Sequence, residues 1–352
     1  MTFLKYFERV GRNCLALILT RLFAKKQHPI TVINTARILV VRLDERVGNA
    51  VMLSPLLLSL RQRFPHTTID VLISQSVADL LSGQDYLNNV VVFNKKAFFG
   101  RNSPIGILIR LRKRPYDLIV NTDNPTDPSL THAVFVCLVA GAQRIGFSHE
   151  VYGRIYNATA EISETTVHEI DMRLALLDLL PGHYKHSLPS IKFPGPVTNS
   201  PTYKLIESLQ NMLWAIIYFG SRKPKKILSI HEYTAVAKLL LENSIIPVFT
   251  FGKNERKLAE QACQMTPQSI IAPDTNLLEL GYLMSQARFV IACDTGPMHL
   301  AVAAGTPTCG LFIATDVKRF GYTTPPHIAI NFTEQPEHSL HAVSAWIKTI
   351  IE

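Results

Sequence analysis

Short apolar runs alternate with helix-like stretches along most of the chain. Residues 37–43 (RILVVRL) read as a fully buried strand. A polar loop holding Gly48 follows, and AVMLSPLLLSLRQRF (50–64) reads as a helix closed near Pro65. Three further strands are predicted at TIDVLIS (68–74), NVVVF (89–93) and YDLIVNT (116–122), and a short one at QRIGF (143–147). Helices are predicted between them at VADLLSG (77–83), SPIGILIRLRKRP (103–115, ended by Pro115) and SLTHAVFVCLVAGA (129–142). A strand–helix repeat with connections this short implies a parallel sheet wound with right-handed crossovers.

The second half repeats the pattern. WAIIYFG (214–220), IIPVFTFG (245–252), ARFVIAC (287–293) and TPTCGLF (306–312) read as strands. SIHEYTAVAKLLLEN (229–243), NERKLAEQACQ (254–264), NLLELGYLMSQ (276–286) and GPMHLAVAAG (296–305) read as helices, and Ser229 with Glu232 makes a capping box. Between the halves, VHEIDMRLALLDLLPG (167–182) is a helix. HYKHSLPSIKFPGPVTNSP (183–201) is a proline- and serine-rich connection. The fold class is therefore α/β: two Rossmann-like domains, 37–195 and 196–352, facing a central cleft. Ligands in such sheets sit at the carboxyl ends of strands.

Residues 1–36 stand apart. Lys5, Arg9, Arg12, Arg21, Lys25 and Lys26 face the single acid Glu8, with Phe3, Leu4, Phe7, Val10 and 15–19 apolar. The segment is either a basic amphipathic element on an anionic membrane surface or a helix packed on the body of the protein. Charges interrupt its apolar stretch and no small-residue cleavage site follows it cleanly, which argues against a cleaved signal peptide.

Composition sharpens this picture at a few points. With 352 residues, 47% hydrophobic and 18% charged, the chain has ample core for two domains and is not disordered. The net charge of +9 suits an anionic partner. Nucleic acid is disfavoured, because aromatic residues are not interleaved with the basic ones as stacking platforms. The five scattered cysteines form no C-x-x-C pair, which argues against zinc and fits a reducing compartment.

The candidate chemistry lies at strand ends. Asp294-Thr295-Gly296 stands where the 287–293 strand meets a helix. Gly296 permits close backbone approach, and free amides at a helix start hold phosphate. Asp294 would repel a phosphate directly, so it either caps the helix or accepts bonds from sugar hydroxyls. Ser221, Arg222, Lys223, Lys225 and Lys226 follow another strand and suit a diphosphate, the alternative being a solvated basic loop. In the first half, VVRLDERVGNAVMLSP carries neither a dinucleotide fingerprint nor a P-loop. It offers Arg42, Asp44, Glu45 and Arg46. A carboxylate there either takes a proton from an acceptor hydroxyl or pairs with the arginines.

The motif D-T-G-P-M-H-L-A-x-A-x-G-T-P at 294–307, with ILVVRL…VGNAVMLSPLLLSLRQRFPHTTIDVLIS, resembles glycosyltransferase family 9, the heptosyltransferases of lipopolysaccharide core assembly. The likeness spans about residues 37–345. It implies a GT-B fold and inverting transfer of heptose from ADP-heptose to a hydroxyl of the lipopolysaccharide inner core. It also implies no tightly bound cofactor or metal. The donor would belong to the C-terminal domain and the acceptor, an anionic lipid-linked oligosaccharide, to the N-terminal one. The expected location is the cytoplasm, peripheral on the inner face of the inner membrane. By the same resemblance Asp294, Thr295 and Gly296 lie near the donor sugar and diphosphate. Lys226, or else Lys225 or Lys223, reaches the diphosphate with Ser221 beside it, and Glu255 stands near the ribose. His299 is a packing and hydrogen-bonding residue. Arg42, Arg46, Lys95, Lys96 and Arg101, with the basic 110–114 helix end, suit acceptor phosphates or carboxylates.

One departure matters. The family has Gly-Asp where this chain has Gly48-Asn49, and that Asp resembles the general base. An amide cannot take the proton. Either Asp44 or Glu45 supplies the carboxylate, or Asn49 only orients the acceptor, or catalysis has been lost. The alternative readings of the whole chain are a transferase for another nucleotide sugar and an inactive nucleotide-sugar or glycan-binding homologue.

Overall fold

The computed structural model describes residues 14–30, 36–97, 99–139, 141–163, 167–221, 223–332 and 336–352. Residues 1–13 and 31–35 of the basic N-terminal segment, and Arg222, lie outside the described residues. The chain divides into two compact units. One is Met1–Arg46 with Leu53–Ser187, and the other is Val47–Met52 with Leu188–Glu352. The proline-rich connection 183–197 carries no helix or strand.

Unit one holds six strands: β1 (Arg37–Arg42), β2 (Thr68–Ser74), β3 (Asn89–Phe93), β4 (Tyr116–Asn121), β5 (Gly141–Phe147) and β6 (Ala158–Ala160). Their order is β3-β2-β1-β4-β5-β6, and every pairing is parallel. Unit two holds β7 (Trp214–Phe219), β8 (Ile246–Phe251), β9 (Ile270–Ile271), β10 (Val290–Cys293), β11 (Thr308–Phe312) and β12 (Ile328–Asn331), in the order β12-β11-β10-β7-β8-β9. Counted from its own first strand, each sheet has the doubly wound order 3-2-1-4-5-6. The strand order reverses between β1 and β4 in one unit and between β7 and β10 in the other. In this architecture the crevice for ligands opens at the carboxyl ends of those two strands.

The all-apolar central strands are buried end to end, as their runs require: β7 (WAIIYF) shows no exposed position. Pro247 is accepted in β8 because β9, the neighbour on its far side, is only two residues long and meets β8 at Val248 and Phe249. The capping box at Ser229 and Glu232 starts the helix Ile230–Glu242 as expected.

The elements differ from the sequence reading in several places. The helix expected at 50–64 is two helices, Val47–Val51 and Ser54–Arg63. Pro55 opens the second, because its ring and missing N–H cannot continue the first. Val47–Val51 also groups with unit two. The helix expected at 167–182 is α-helical over Glu169–Leu174 and tightens to a 3-10 helix over Ala175–Leu179 before Pro181. Strand β5 begins at Gly141, inside the expected 129–142 helix, which stops at Leu138.

In the N-terminal segment, residues 14–22 are helical. Ala16 is buried, and Leu19 and Phe23 lean on the core of unit one that also holds Ile107, Leu111 and Phe135. One face of that helix thus packs on the protein, while Leu15, Ile18 and Leu22 remain exposed. Among the described residues no helix is long and apolar enough to cross a membrane.

Candidate active site

In unit two, β10 ends at Cys293 and the helix Gly296–Ala303 starts three residues later. The turn in between aims the Asp294 carboxylate at two donors. Its Oδ2 accepts from Lys226 Nζ at 2.7 Å and from Thr315 Oγ1 at 2.6 Å. Asp294 is 5% exposed, so this is a charge pair largely withdrawn from water. Lys226 closes a 3-10 turn, Pro224–Lys226, beyond the end of β7. The two segments singled out separately in the sequence therefore meet at the carboxyl ends of the two strands flanking the reversal of the sheet.

Of the two roles left open for Asp294, helix capping is not the one the structure shows. Thr295 is the N-cap residue, and its hydroxyl donates to Cys293 O at 3.2 Å rather than accepting from the helix. The Asp294 oxygens are held by Lys226 and Thr315 instead. Gly296 is the first residue of the helix, where a backbone N–H has no partner within the helix. Pro297, in the first turn, contributes none.

His299 sits one turn into this helix and is buried. Its Nδ1 is 2.8 Å from the Tyr322 hydroxyl, and its Nε2 lies 3.8 Å from Asp294 Oδ1. The helix Val47–Val51 packs across the same start. A Cβ on Gly48 would come within 2.7 Å of the His299 ring, and one on Gly296 within 2.7 Å of the Val47 Cβ. Neither position has room for a side chain: the His299 ring fills the space beside Gly48, and Val47 fills that beside Gly296. Asn49, the residue at issue for catalysis, lies on this short helix.

The other expected donor residues spread more widely. Ser221 Oγ accepts from the Lys223 amide at 3.0 Å, which shapes the loop. Lys223 and Lys225 are exposed and form no ion pair among the described residues. Glu255 precedes the helix Arg256–Met265 beyond β8, and its carboxylate folds over Gly252, where a Cβ would lie 2.5 Å from Oε2. Beside it, burial and then the Glu255 charge push the Tyr218 hydroxyl up to about 12.

Unit one carries a second polar cluster at its own reversal point. Arg42 ends β1 and is buried. Its Nε pairs with Asp44 Oδ2 at 2.5 Å, and its Nη1 donates to Thr122 O beyond β4. Asp44 Oδ1 also accepts from the Arg46 amide at 2.9 Å. Glu45 pairs with Lys95 at 3.0 Å. Lys96 is exposed, its amide bonded to Asn94 Oδ1. Arg46 is exposed, and Arg101 lies on the wall of a different cavity that neither Lys95 nor Lys96 lines.

Two residues that the sequence reading passed over complete this cluster. Asp123 follows β4, and its carboxylate accepts from the Ser129 amide at 2.6 Å and the Asn124 amide at 2.8 Å. Burial, opposed by those bonds and by Arg42, raises its carboxyl to about 6. His132 Nε2 accepts from the Leu43 amide at 2.9 Å, so its proton sits on Nδ1, 3.5 Å from Asp123 Oδ2. Burial, with Arg42, lowers His132 to about 3 and keeps the ring neutral. The signal for Asp123 was present in the sequence: an acid directly after an apolar strand, as at Asp294.

Two Rossmann-like sheets with the same strand order, each with charged residues at its reversal point, define a two-domain α/β fold of the GT-B glycosyltransferase type. The family comparison then carries the assignment further. The model of glycosyltransferase family 9 (heptosyltransferase) matches residues 107–348, and the chain belongs to that family. Lipopolysaccharide heptosyltransferase 3 of Escherichia coli K12 is 25% identical over 281 residues, covering 76% of this chain and 80% of that protein. The lipopolysaccharide core heptosyltransferase OpsX of Haemophilus influenzae is 35% identical over 97 residues, 26% of this chain and 28% of that protein. Among solved structures, a family 9 glycosyl transferase from Veillonella parvula superposes with a TM-score of 0.77 at 18% identity, covering 92% of this chain and 99% of the other. E. coli heptosyltransferase WaaC with ADP gives 0.71 at 18% identity, covering 89% and 99%. At that identity the structural likeness speaks for the fold alone.

Proposed function

We propose that this chain transfers heptose from ADP-heptose to a hydroxyl of the lipopolysaccharide inner core, with inversion at the anomeric carbon. The reading rests on the Lys226–Asp294 pair at the reversal point of unit two, supported by family membership and the heptosyltransferase relatives. The donor diphosphate lies against the Gly296 amide, and Lys226 turns from Asp294 to the phosphate as the donor binds. Asp294 is then released to accept bonds from sugar hydroxyls. The acceptor oxygen attacks the anomeric carbon, the bond to the β-phosphate oxygen breaks, and ADP leaves with the electron pair. Lys226 and the helix amides stabilise the charge that grows on the leaving group.

The acceptor proton goes to a carboxylate at the carboxyl end of β1 or β4. Glu45 is the weaker candidate, being half-buried and paired with Lys95. Asp44 is bound to Arg42 and orders the 44–46 turn. Asp123, raised to about 6, is ionised at neutral pH and yet close enough to it to hold a proton in the transition state. We assign it the role of base. The acceptor is an anionic lipid-linked oligosaccharide, which places the enzyme in the cytoplasm at the inner leaflet. No tightly bound cofactor takes part in the scheme.

A second reading, a donor-binding homologue without transfer, is favoured by one feature: Asn49 stands where the family resemblance expects an acid. Incubation with ADP-heptose and heptose-free core lipid separates the two. Release of ADP with a heptose-extended lipid supports the transferase. ADP binding without turnover supports the homologue.

A further inference from the structure

The end of β7 carries a side chain that the transfer scheme leaves unused. Phe219 turns into the core of unit two and stacks on Tyr233, with ring centroids 3.9 Å apart. Side chains alternate along a strand, so Tyr218 points to the opposite face. It is 8% exposed, and among the described residues no hydrogen bond engages its hydroxyl. Two glycines frame that hydroxyl. Gly220 follows β7 with φ +148°, and a Cβ there would lie 3.0 Å from the Tyr218 oxygen. Gly252 follows β8, and a Cβ there would lie 3.3 Å from the same oxygen and 2.5 Å from Glu255 Oε2. The Glu255 carboxylate is therefore the phenol's neighbour, half-buried and likewise without a hydrogen bond among the described residues. Thr250, the register partner of Tyr218 on β8, lies on the same face. It is 2% exposed, and its hydroxyl is unpartnered among the described residues. Polar groups withdrawn from water are normally paired, so three unpaired ones at adjoining strand ends point to a ligand.

The chemistry of the three narrows that ligand. An ionised carboxylate accepts hydrogen bonds only and repels a phosphate. The phenol, its pKa raised to about 12 by burial and then by the Glu255 charge, keeps its proton at neutral pH and donates. A cation would suit Glu255 but would meet that donor head-on. Vicinal sugar hydroxyls suit both, because each gives one bond and accepts another. Strand order says which sugar. The sheet runs β10-β7-β8, with neighbouring strands about 4.8 Å apart. On the proposed reading Asp294, at the end of β10, takes the donor sugar, and Lys226, beyond β7, takes the diphosphate. The end of β8 then lies on the far side of the diphosphate from the donor sugar, where the nucleoside extends. The family resemblance implies a ribose contact for Glu255 and says nothing of Tyr218.

We infer that Tyr218 selects a ribonucleotide donor: its hydroxyl donates to the ribose cis-diol while Glu255 accepts from it, in the space that Gly220 and Gly252 leave open. The inference rests on the donor reading and adds to it the residue that sets the nucleotide class. A donor without the diol leaves the phenol and the carboxylate unpaired in a site that the nucleotide has closed to water, and it loses affinity for that reason.

Calorimetric titration of the full chain with ADP and with 2′,3′-dideoxy-ADP, which lacks the diol, tests it. The parent binds ADP about 10²-fold more tightly than the dideoxy nucleotide. Tyr218→Phe weakens ADP about tenfold and leaves the dideoxy nucleotide as in the parent, so the ratio narrows. A tyrosine that only packs the strand end would weaken both nucleotides alike and leave the ratio unchanged. Gly252→Ala fills the same space from the β8 side, and it narrows the ratio too. Lys226→Ala, the control for the donor site, weakens both nucleotides equally, since each carries the diphosphate. Lys226-dependent binding with the parent's ratio kept in Tyr218→Phe overturns this inference and leaves the donor reading standing. If the melting temperature shows that Tyr218→Phe does not fold, the ratio in Gly252→Ala decides in the same way. No ADP binding, or binding indifferent to Lys226→Ala, overturns the donor reading and this inference with it.

Discussion

The carboxyl ends of β1 and β4 and those of β7 and β10 are the same place in two copies of one sheet order, and they carry different chemistry. At β7 and β10 a buried carboxylate, Asp294, is neutralised by a lysine on a short turn and by a threonine hydroxyl. A lysine is a compact charge on a flexible stem and can change partners. At β1 and β4 the fixed cation is Arg42, buried and held by both Asp44 and the Thr122 carbonyl. Asp123 forms no ion pair with an arginine or lysine among the described residues, and burial raises its pKa to about 6 against the charge of Arg42. On the proposed reading, the pair of strand ends in unit two receives negative charge and the pair in unit one receives a proton.

The comparison breaks most visibly if the proton site is emptied. Asp123→Asn is expected to lower the transfer rate by about 10²–10⁴ while leaving ADP affinity in place. If Asp123→Asn keeps its rate and Asp44→Asn loses it, the proton goes to Asp44. Glu45→Gln should change the rate by no more than a few-fold. Next in size is the charge site. Lys226→Ala is expected to cost about 10²–10³ in kcat, the scale for removing one donor aimed at developing negative charge.

The raised Asp123 pKa has a consequence for stability. Between its unfolded value near 3.8 and its folded value of about 6, the folded chain binds more protons than the unfolded one. Stability from this group therefore falls as pH rises from about 4 to 6, by roughly 2–3 kcal/mol. His132 works in the opposite sense: its folded pKa of about 3 means that stability is lost as pH falls below about 6.5. Denaturant midpoints of the parent and Asp123→Asn across pH 4–7 isolate the first effect, because His132 is common to both. The gap between the two should close as pH falls to 4.

A packing effect is expected at the Val47–Val51 helix. Gly48→Ala sets a Cβ 2.7 Å from a His299 ring that the Tyr322 hydroxyl holds in place. Overpacking of this kind costs about 1–3 kcal/mol, readable as a lowered denaturation midpoint.

How much of this was legible beforehand follows from element length and from what local pattern can encode. The long apolar strands announced themselves, as did the capping box at Ser229. Strands β9 and β12, of two and four residues, carry too little period to register, and β6 has only three. The break at Met52–Leu53 was marked by Pro55, yet the apolar run on both sides masked it. At the site, the motif 294–296 and the basic loop were each visible. Their union through Lys226 and Asp294 was not, since it joins residues 68 apart in the chain. Thr315 and His132 carry no signal beyond their neighbours, because a lone threonine or a histidine in an apolar helix is ordinary core or surface chemistry. Asp123 was legible by the rule that found Asp294, but its loop, DNPTDPS, reads as a plain turn.

The central claim is that the donor diphosphate is held at the carboxyl ends of β7 and β10 by Lys226. Calorimetric titration of ADP into the parent, Lys226→Ala and Lys226→Arg tests it most directly. The account predicts that ADP affinity falls at least tenfold in the alanine variant and is partly kept in the arginine variant. Equal affinity in all three would contradict it.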